Sequence, residues 1–405
     1  MSGRSTIMRT LGVEEEMLLV DARSGRPLPL AEQVLGRAAE RACERGSRSH
    51  EGSAASAAPA AKAAQAGLVD AAGGCAHGAL ESEFQQQQIE THTAPAADLG
   101  ALRSELSWWR GEAAASAVDC GAGLAALATS PLTAHPTVSR SPRYLWLEDR
   151  YGLTAREHLV CGCHVHVSVE SDEEGVAVLD RIRVWLPVLL ALSANSPFWD
   201  GQDTGFASYR AQVLARLPSW GPNDRFGSAA AYHRLVRDLV RSTVILDEGM
   251  AYFDARLARR YPTVEVRAAD VCSTVEEAVV LAALCRALVE TAGREWAAGL
   301  PAPEVSTRLL RLATWQAGHD GLEGHLLDWR TGRPRPCWSV LDTLLEHVGP
   351  ALEAAGDLAA VRQGLDGVRE EGNGAVRQRA VLARSGRLAD VVADSVRTTA
   401  ACRHG

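Results

Sequence analysis

Apolar and polar positions alternate cleanly at only a few places along this chain. Leu11 to Val20 (LGVEEEMLLV) begins in alternation and ends in a continuous apolar run, the pattern of a strand that is polar-faced at one end and buried at the other. Asp21 to Gly25 supplies turn residues after it. Leu159 to Val169 (LVCGCHVHVSV) is β-branched and alternating, and Tyr261 to Ala268 (YPTVEVRA) repeats that pattern over a shorter span. Helical spacing runs from Leu102 to Leu127 until Thr129-Ser130-Pro131 breaks it, and from Val176 to Ala194 until Asn195-Ser196-Pro197 ends it. Thr274-Val275-Glu276-Glu277 fits a capping box that opens a long apolar helix to about Ala298. Beyond Pro301 the chain reads as helical to its end, with breaks at 332–336 and 372–374. From about Gly46 to Gly78 the residues are mostly Ala, Ser and Gly, which can bury little, so a mobile insertion is predicted there. Strands separated by helices and long connections predict an α+β fold, with antiparallel strands in one layer and helices packed behind. Residues 1–405 read as one domain with a helical C-terminal region over about 301–405.

Charge placed where strands should be apolar is the informative feature. In Gly12-Val13-Glu14-Glu15-Glu16 the period of two puts Glu14 and Glu16 on one face, about 7 Å apart, and Glu15 on the other. Such a carboxylate pair repels unless the edge is solvated or a cation lies between. His164 and His166 likewise share a face, opposite Cys163 and Val165, and Glu265 and Arg267 share one between two valines. Three strands, each with one ionisable and one packing face, predict a polar cavity over a sheet. In Glu83-Phe84-Gln85-Gln86-Gln87-Gln88-Ile89-Glu90 a separation of seven puts the two acids on opposite faces of a regular strand, so either a bulge intervenes or Glu83 sits in the preceding loop. Several carboxylates with one or two imidazoles favour a hard cation such as Mg²⁺ or Mn²⁺. Cys161, Cys163 and His164 could be read as zinc ligands, but they alternate between faces and have no matching CxxC pair, so structural zinc is disfavoured. Divalent ions with an arginine nearby suit phosphoryl transfer.

Composition narrows this further. The chain has 405 residues, 42 basic and 50 acidic, for a formal charge of −8, and its one lysine is Lys62. A phosphate loop, a Schiff-base lysine and a lysine-clamped nucleotide site are therefore disfavoured. The negative balance argues against nucleic acid and anionic membrane as main partners and leaves small molecules. No signal core is visible at Met1 to Thr10, and the longest apolar stretch, Val184 to Leu192, is interrupted by Pro187. That is about half of the roughly 20 residues of a membrane span, so a cytoplasmic protein is expected. Nine scattered cysteines suggest free thiols.

The order GVEEE, EFQQQQIETHTAP, CGCHVHV and VEVRAADVC, together with the run Leu192 to Arg210, resembles the glutamate–cysteine ligase type 2 group, also described as carboxylate–amine ligases. The resemblance covers roughly residues 10–380. It implies a glutamine synthetase-like fold, a curved antiparallel sheet forming a funnel with helices outside. It also implies a single ligase catalytic domain that uses ATP and two or three Mg²⁺ ions (Mn²⁺ as a substitute) to phosphorylate a carboxylate, which an amine then attacks. Glutamate is the carboxylate implied; the amine is left open. Position by position, Glu14, Glu16, Glu90, His164 and Glu265 match metal ligands, and Arg267 an arginine reaching the nucleotide phosphates. Arg210 matches one that holds the substrate carboxylate, and Glu83 an acid near the amine site. His166 falls where substrate or phosphate binds, and Asn195 and Tyr144 are candidate pocket residues, Tyr144 toward the nucleotide. A homodimer is expected from resemblance alone. Arg377 and Arg379, after a Gly-Asn-Gly turn, could close over nucleotide, though a solvated turn is the simpler reading. Packing is preferred for Trp108, Trp109, Trp315 and His319. Two other readings stay open: a metal-dependent hydrolase, and a binding protein that keeps the metal–nucleotide pocket without turnover. Since Lys62 falls in the predicted insertion, Lys62→Ala is expected to leave turnover nearly unchanged in a steady-state assay; a large loss would show that the insertion serves the site.

Overall fold

The computed structural model describes residues 8–51 and 79–401, with the side chains of 46–51 left aside. The main sheet contains β1 (Leu11–Asp21), β2 (Ala79–Ser82), β3 (Gln88–His92), β4 (Ala122–Ala125), β5 (Gly162–Ser168), β8 (Ala255–Leu257) and β9 (Thr263–Asp270). Its order is β2-β3-β1-β5-β9-β8, with β4 on the second half of β1, and every pairing is antiparallel. Two small ribbons stand apart, β6 (Phe198–Trp199) with β7 (Gln202–Asp203) and β10 (His325–Asp328) with β11 (Arg333–Pro336). The expected mixture of helices and an open antiparallel sheet is what the chain forms.

β1 is central because its sequence changes character halfway. Over Leu11–Glu16 buried and half-buried residues alternate, whereas Met17–Val20 is buried on both faces. The first half pairs with β5 and β3 and carries a polar front; the second pairs with β4 and enters a core of Leu19, Ile89, Leu124 and Leu127. Behind the sheet, Val13, Val165, Val167, Val264 and Val266 pack against Leu102 and Leu106 of the helix Leu99–Asp119 and against the helix Val275–Ala297. Each such valine or leucine, 0 or 1% exposed, contributes about 1.5–3 kcal/mol by leaving water. The helix Val275–Ala297 is nearly apolar all round and is flanked by the helices Asp172–Ile182, Cys337–Ala355 and Leu358–Glu371; its capping box on Thr274 and Glu277 forms as expected.

Several boundaries differ from the sequence expectation. The helix begun near Leu102 ends at Asp119; Gly121, at φ +77°, reverses the chain into β4, so 122–127 is not helical. The apolar segment Val176–Ala194 becomes two helices, Asp172–Ile182 and Leu186–Ser193, because Pro187 fits only a first turn. β10 and β11 form a hairpin in the region read as helical, where Gly332 (φ +67°) makes the turn. A helix not anticipated, Ala31–Glu51, runs past the expected start of the insertion at 46. The rest of that insertion, with Lys62, lies outside the described residues.

The run Leu192–Arg210 is tied to the end of β9. Asp270, 0% exposed, accepts hydrogen bonds from Asn195 N (2.9 Å), Ser196 Oγ (2.7 Å) and Ser208 Oγ (2.8 Å). The Asn195 amide donates to Ala126 O (2.9 Å) and Val271 O (2.8 Å) and accepts from Gln378 Nε2 (2.7 Å) and Ser273 Oγ (3.3 Å). Both donors and both lone pairs are thus engaged, and Asn195 is 1% exposed. It is a brace between β4, β9 and the helix Gly374–Ser385, which corrects the expectation of a substrate-binding role. Arg377 pairs with Glu277, and the part-exposed Arg379 pairs with Asp203. Removing a side chain that satisfies four buried groups should be costly: Asn195→Ala is expected to lower unfolding stability by about 2–4 kcal/mol, measurable as a lower urea midpoint at unchanged slope.

Candidate functional site

The front face of β1, β3, β5 and β9 gathers the ionisable groups that the sequence pattern separated from the core. Glu14 stands opposite His164 on β5 and His92 on β3, and Glu16 opposite Glu90. Glu14 Oε2 lies 3.1 Å from His164 Nδ1, and Glu14 Oε1 lies 3.1 Å from His166 Nε2. Glu16 Oε2 accepts the Gly162 N–H at 2.6 Å. Glycine is required there, since a methyl group at 162 would overlap the Arg210 guanidinium and come within 3.1 Å of His164 Nε2. On β9 one extra residue relative to β5 intervenes between the pairs Cys163–Ala269 and Val165–Val266. This bulge falls beside Arg267, whose guanidinium bonds Glu265, and bulges commonly re-aim side chains next to such sites.

Glu83 lies in the loop between β2 and β3, which removes the parity problem without a bulge: one of its oxygens accepts the Phe84 N–H at 2.7 Å. Oxygens of Glu16, Glu83 and Glu90 lie within 4.8 Å of one another. So do ligand atoms of Glu14, Glu90 and His164, and of Glu14, His166 and Glu265. Every candidate metal ligand inferred from the sequence is therefore in one contiguous cluster, and no cysteine belongs to any such group among the described residues. Tyr144 borders it, edge-on to Phe84 at 5.4 Å between ring centres.

Two participants escaped the sequence reading. His92 has Nδ1 3.4 Å from Glu14 and Nε2 3.1 Å from Glu90, and its place two residues after Glu90 on the same strand face was the available signal. Arg256, on β8, holds both oxygens of Glu265, at 2.7 and 3.1 Å. Glu265 thus carries two arginines, leaving about one of its roughly four lone-pair sites for another partner. Arg210 differs most from expectation. It is 2% exposed, and its Nη atoms point to the carbonyls of Arg267 and Ala268 and toward Asp270 at 3.6 Å. It braces β9 from beside the cluster, and its buried Nε has no hydrogen-bond partner.

The electrostatics show a site of crowded charge. Burial raises the Glu83 carboxyl well above its ordinary range, and Glu90 and Glu16 push it further. Glu90 is also raised, by burial and by Glu14, with His92 opposing. Tyr144 is raised by burial and then by Glu83 and Glu90. Glu14, although buried, is held well below the carboxylate range by His166, His164 and His92, and Glu265 is held down by Arg267 and Arg256 against its own burial. For His92 burial pulls downward, but Glu90 and Glu14 outweigh it and push the imidazole up to about 12. Five buried or half-buried carboxylates thus face two arginines and three imidazoles. Rich in carboxylate oxygen and lined by imidazole nitrogen, the cluster fits a hard divalent cation.

Residues 10–394 match the model of the glutamate–cysteine ligase family 2. The chain belongs to that family. It is 49% identical over 394 residues to a Streptomyces coelicolor protein provisionally named glutamate–cysteine ligase 2, covering 97% of this chain and 100% of that one. Among solved structures it is similar to the glutamate–cysteine ligase of Francisella tularensis in complex with AMP, with TM-score 0.66 and 13% identity over 99% of this chain and 90% of that one. A bifunctional glutathione synthetase from Pasteurella multocida superposes with TM-score 0.65 and 15% identity over 97% of this chain and 52% of that chain. At those identities the two structures establish the fold. No helix among the described residues of this family member is long and apolar enough to cross a membrane.

Beside Arg210, the Asp254 carboxyl is 3% exposed, and burial raises it to about 7 against the pull of Arg210 and Arg311. The folded state holds this proton more tightly than the unfolded chain, where an aspartate titrates near 4, so the contribution is lost as pH rises from about 4 to about 7. Asp254→Asn is therefore expected to stabilise the protein at pH 8 by about 2–4 kcal/mol and to have little effect at pH 4, as urea unfolding at the two pH values would read out; an equal effect at both would refute the assignment.

Proposed function

We propose that this chain is an ATP-dependent carboxylate–amine ligase that activates the carboxylate of glutamate as an acyl phosphate and joins it to an amine, releasing ADP and phosphate. The observation that carries the reading is the cluster of Glu14, Glu16, Glu83, Glu90 and Glu265 with His164 and His166 at one sheet face, in which burial and neighbouring carboxylates raise Glu83 and Glu90. Membership of a ligase family and a fold shared with an AMP-bound ligase are consistent with it. ATP with two or three Mg²⁺ ions, or Mn²⁺ in their place, would supply the transferable phosphoryl group and the positive charge that the carboxylates lack.

In this reading Glu14, Glu16, Glu90 and His164 hold the cations, and Glu265 contributes its remaining lone pair while fixing Arg267. Arg267, locked between Glu265 and the sheet, offers guanidinium N–H groups to negative oxygen in the transition state. His166, held by Thr263 Oγ1 at 3.0 Å and by Glu14, orients Glu14 and faces the substrate side. Glu83 and Tyr144, at the loop edge of the cluster, receive the acceptor amine and border the nucleotide. Such a site works through positioning and fixed charge, already in place before reaction.

Incubation with [¹⁸O]glutamate, ATP, Mg²⁺ and a mixed amine library is expected to give an amide and ¹⁸O-labelled phosphate only when carboxylate and amine are both present. AMP and pyrophosphate as products, or hydrolysis without an amine, would exclude the reaction; the latter would favour the hydrolase. Arg267→Met should lower kcat about 10²–10³-fold with a much smaller change in KM for glutamate, because the loss falls on the transition state.

A further inference from the structure

Behind the cluster lies an ion pair that the proposed chemistry does not use. Glu15 sits between Glu14 and Glu16 but on the opposite face of β1, and both it and Arg110 are 0% exposed. Arg110, from the helix Leu99–Asp119, grips the carboxylate with Nε 2.8 Å from Oε2 and Nη2 2.5 Å from Oε1. The same guanidinium donates to the carbonyls of Cys272 (2.8 Å) and Ser273 (3.1 Å), through which the chain leaves β9. One side chain therefore fastens β1 to the end of β9 across the back of β5. In the sheet register Glu15 pairs with Cys163 and Cys163 with Ala269, so small side chains fill the rest of that row.

A buried ion pair is a poor stabiliser compared with apolar residues of similar volume, because both charges lose their water. A planar guanidinium held by bidentate contacts does confer direction. The directions here matter because Glu14 and Glu16 lie one residue either side of Glu15, and Glu265 lies on the strand whose exit Arg110 holds. A small slip or rotation of β1 would carry both glutamates away from His164, His166 and Glu265 together.

We propose that Arg110 is a positioning residue for the cation-binding face: through Glu15 and the carbonyls of Cys272 and Ser273 it fixes the spacing between the ligands of β1 and those of β9. This rests on the cation reading of the cluster given above. It makes a prediction of sign. Replacing Arg110 alone leaves a bare negative charge behind the sheet, which by Coulomb attraction would tighten cation binding; loss of positioning weakens it.

The test is a Mn²⁺ titration of the full chain, following free Mn²⁺ by electron paramagnetic resonance, with thermal unfolding in parallel. Arg110→Met is expected to weaken Mn²⁺ binding about tenfold or more, in the range seen when outer partners of metal ligands are lost. Glu15→Met combined with Arg110→Met is expected to weaken it similarly while keeping the melting temperature within a few degrees of wild type. Wild-type affinity in the folded double variant, or tighter binding by the single variant, would overturn the proposal. If the double variant does not fold, Arg110→Lys, which keeps the positive charge but cannot make the bidentate grip, decides: weaker binding supports positioning and unchanged affinity refutes it. A wild-type chain that binds no Mn²⁺ would instead sink the cation reading, and this proposal with it, which separates the two failures.

Discussion

Carboxylates forced together without water repel, and the architecture around this site is organised by that repulsion. Oxygens of Glu16, Glu83 and Glu90 approach within 4.8 Å of one another on a face whose neighbours are largely buried. The protein offsets part of the charge itself: three histidines attend Glu14, and two arginines attend Glu265. Glu83 and Glu90 remain raised because burial and neighbouring carboxylates outweigh Arg267 and His92. A divalent cation is the simplest chemical complement to that remainder, and phosphates of a nucleotide are the natural partner of cations so held.

Holding such a cluster requires a stiff support, and the scaffold residues provide it with directional bonds. Asp270 and Asn195 tie the run Leu192–Arg210 to β9, and Arg210 caps the carbonyls beside the bulge. Arg110 and Glu15 lock β1 from behind. These polar braces are buried and hydrogen-bonded across elements, whereas the valines between them pack a sheet without choosing a register by themselves. The run Leu192–Arg210 thus shapes the strand that presents Glu265 and Arg267.

A cavity elsewhere, of about 610 Å³, is lined by Asp180, Arg183, Asp224, Arg225 and Glu304 and shares no residue with the cluster. Its charges are matched in contacts such as Arg225 with Glu304, and Asp180 with the N–H groups of Phe226 and Gly227.

The local pattern of side chains determined the strands and what each face carries. Period two on β1, β5 and β9 separates ionisable from packing residues because successive Cβ atoms point to opposite faces, so Glu14, Glu16, His164, Glu265 and Arg267 could be named without coordinates. The capping box at Thr274 was legible for the same reason: its partners are three residues apart. Only the tertiary structure decided how far helices ran, because β4 is short and completed by pairing with β1, and the β10–β11 ribbon depends on a turn between two pairing segments. It also decided which polar residues serve as braces. Asn195 has the chemistry of a substrate ligand, but its hydrogen bonds are spent on Ala126, Val271 and Gln378, partners up to 183 residues away in sequence, while Arg210 leans on the carbonyls of β9. Arg256 joined the site through the pairing of β8 with β9, and Arg110 acquired its place behind Glu15 from a helix 95 residues along the chain. Side-chain alternation is a property of neighbours in sequence; the partner that satisfies a buried charge is a property of neighbours in space.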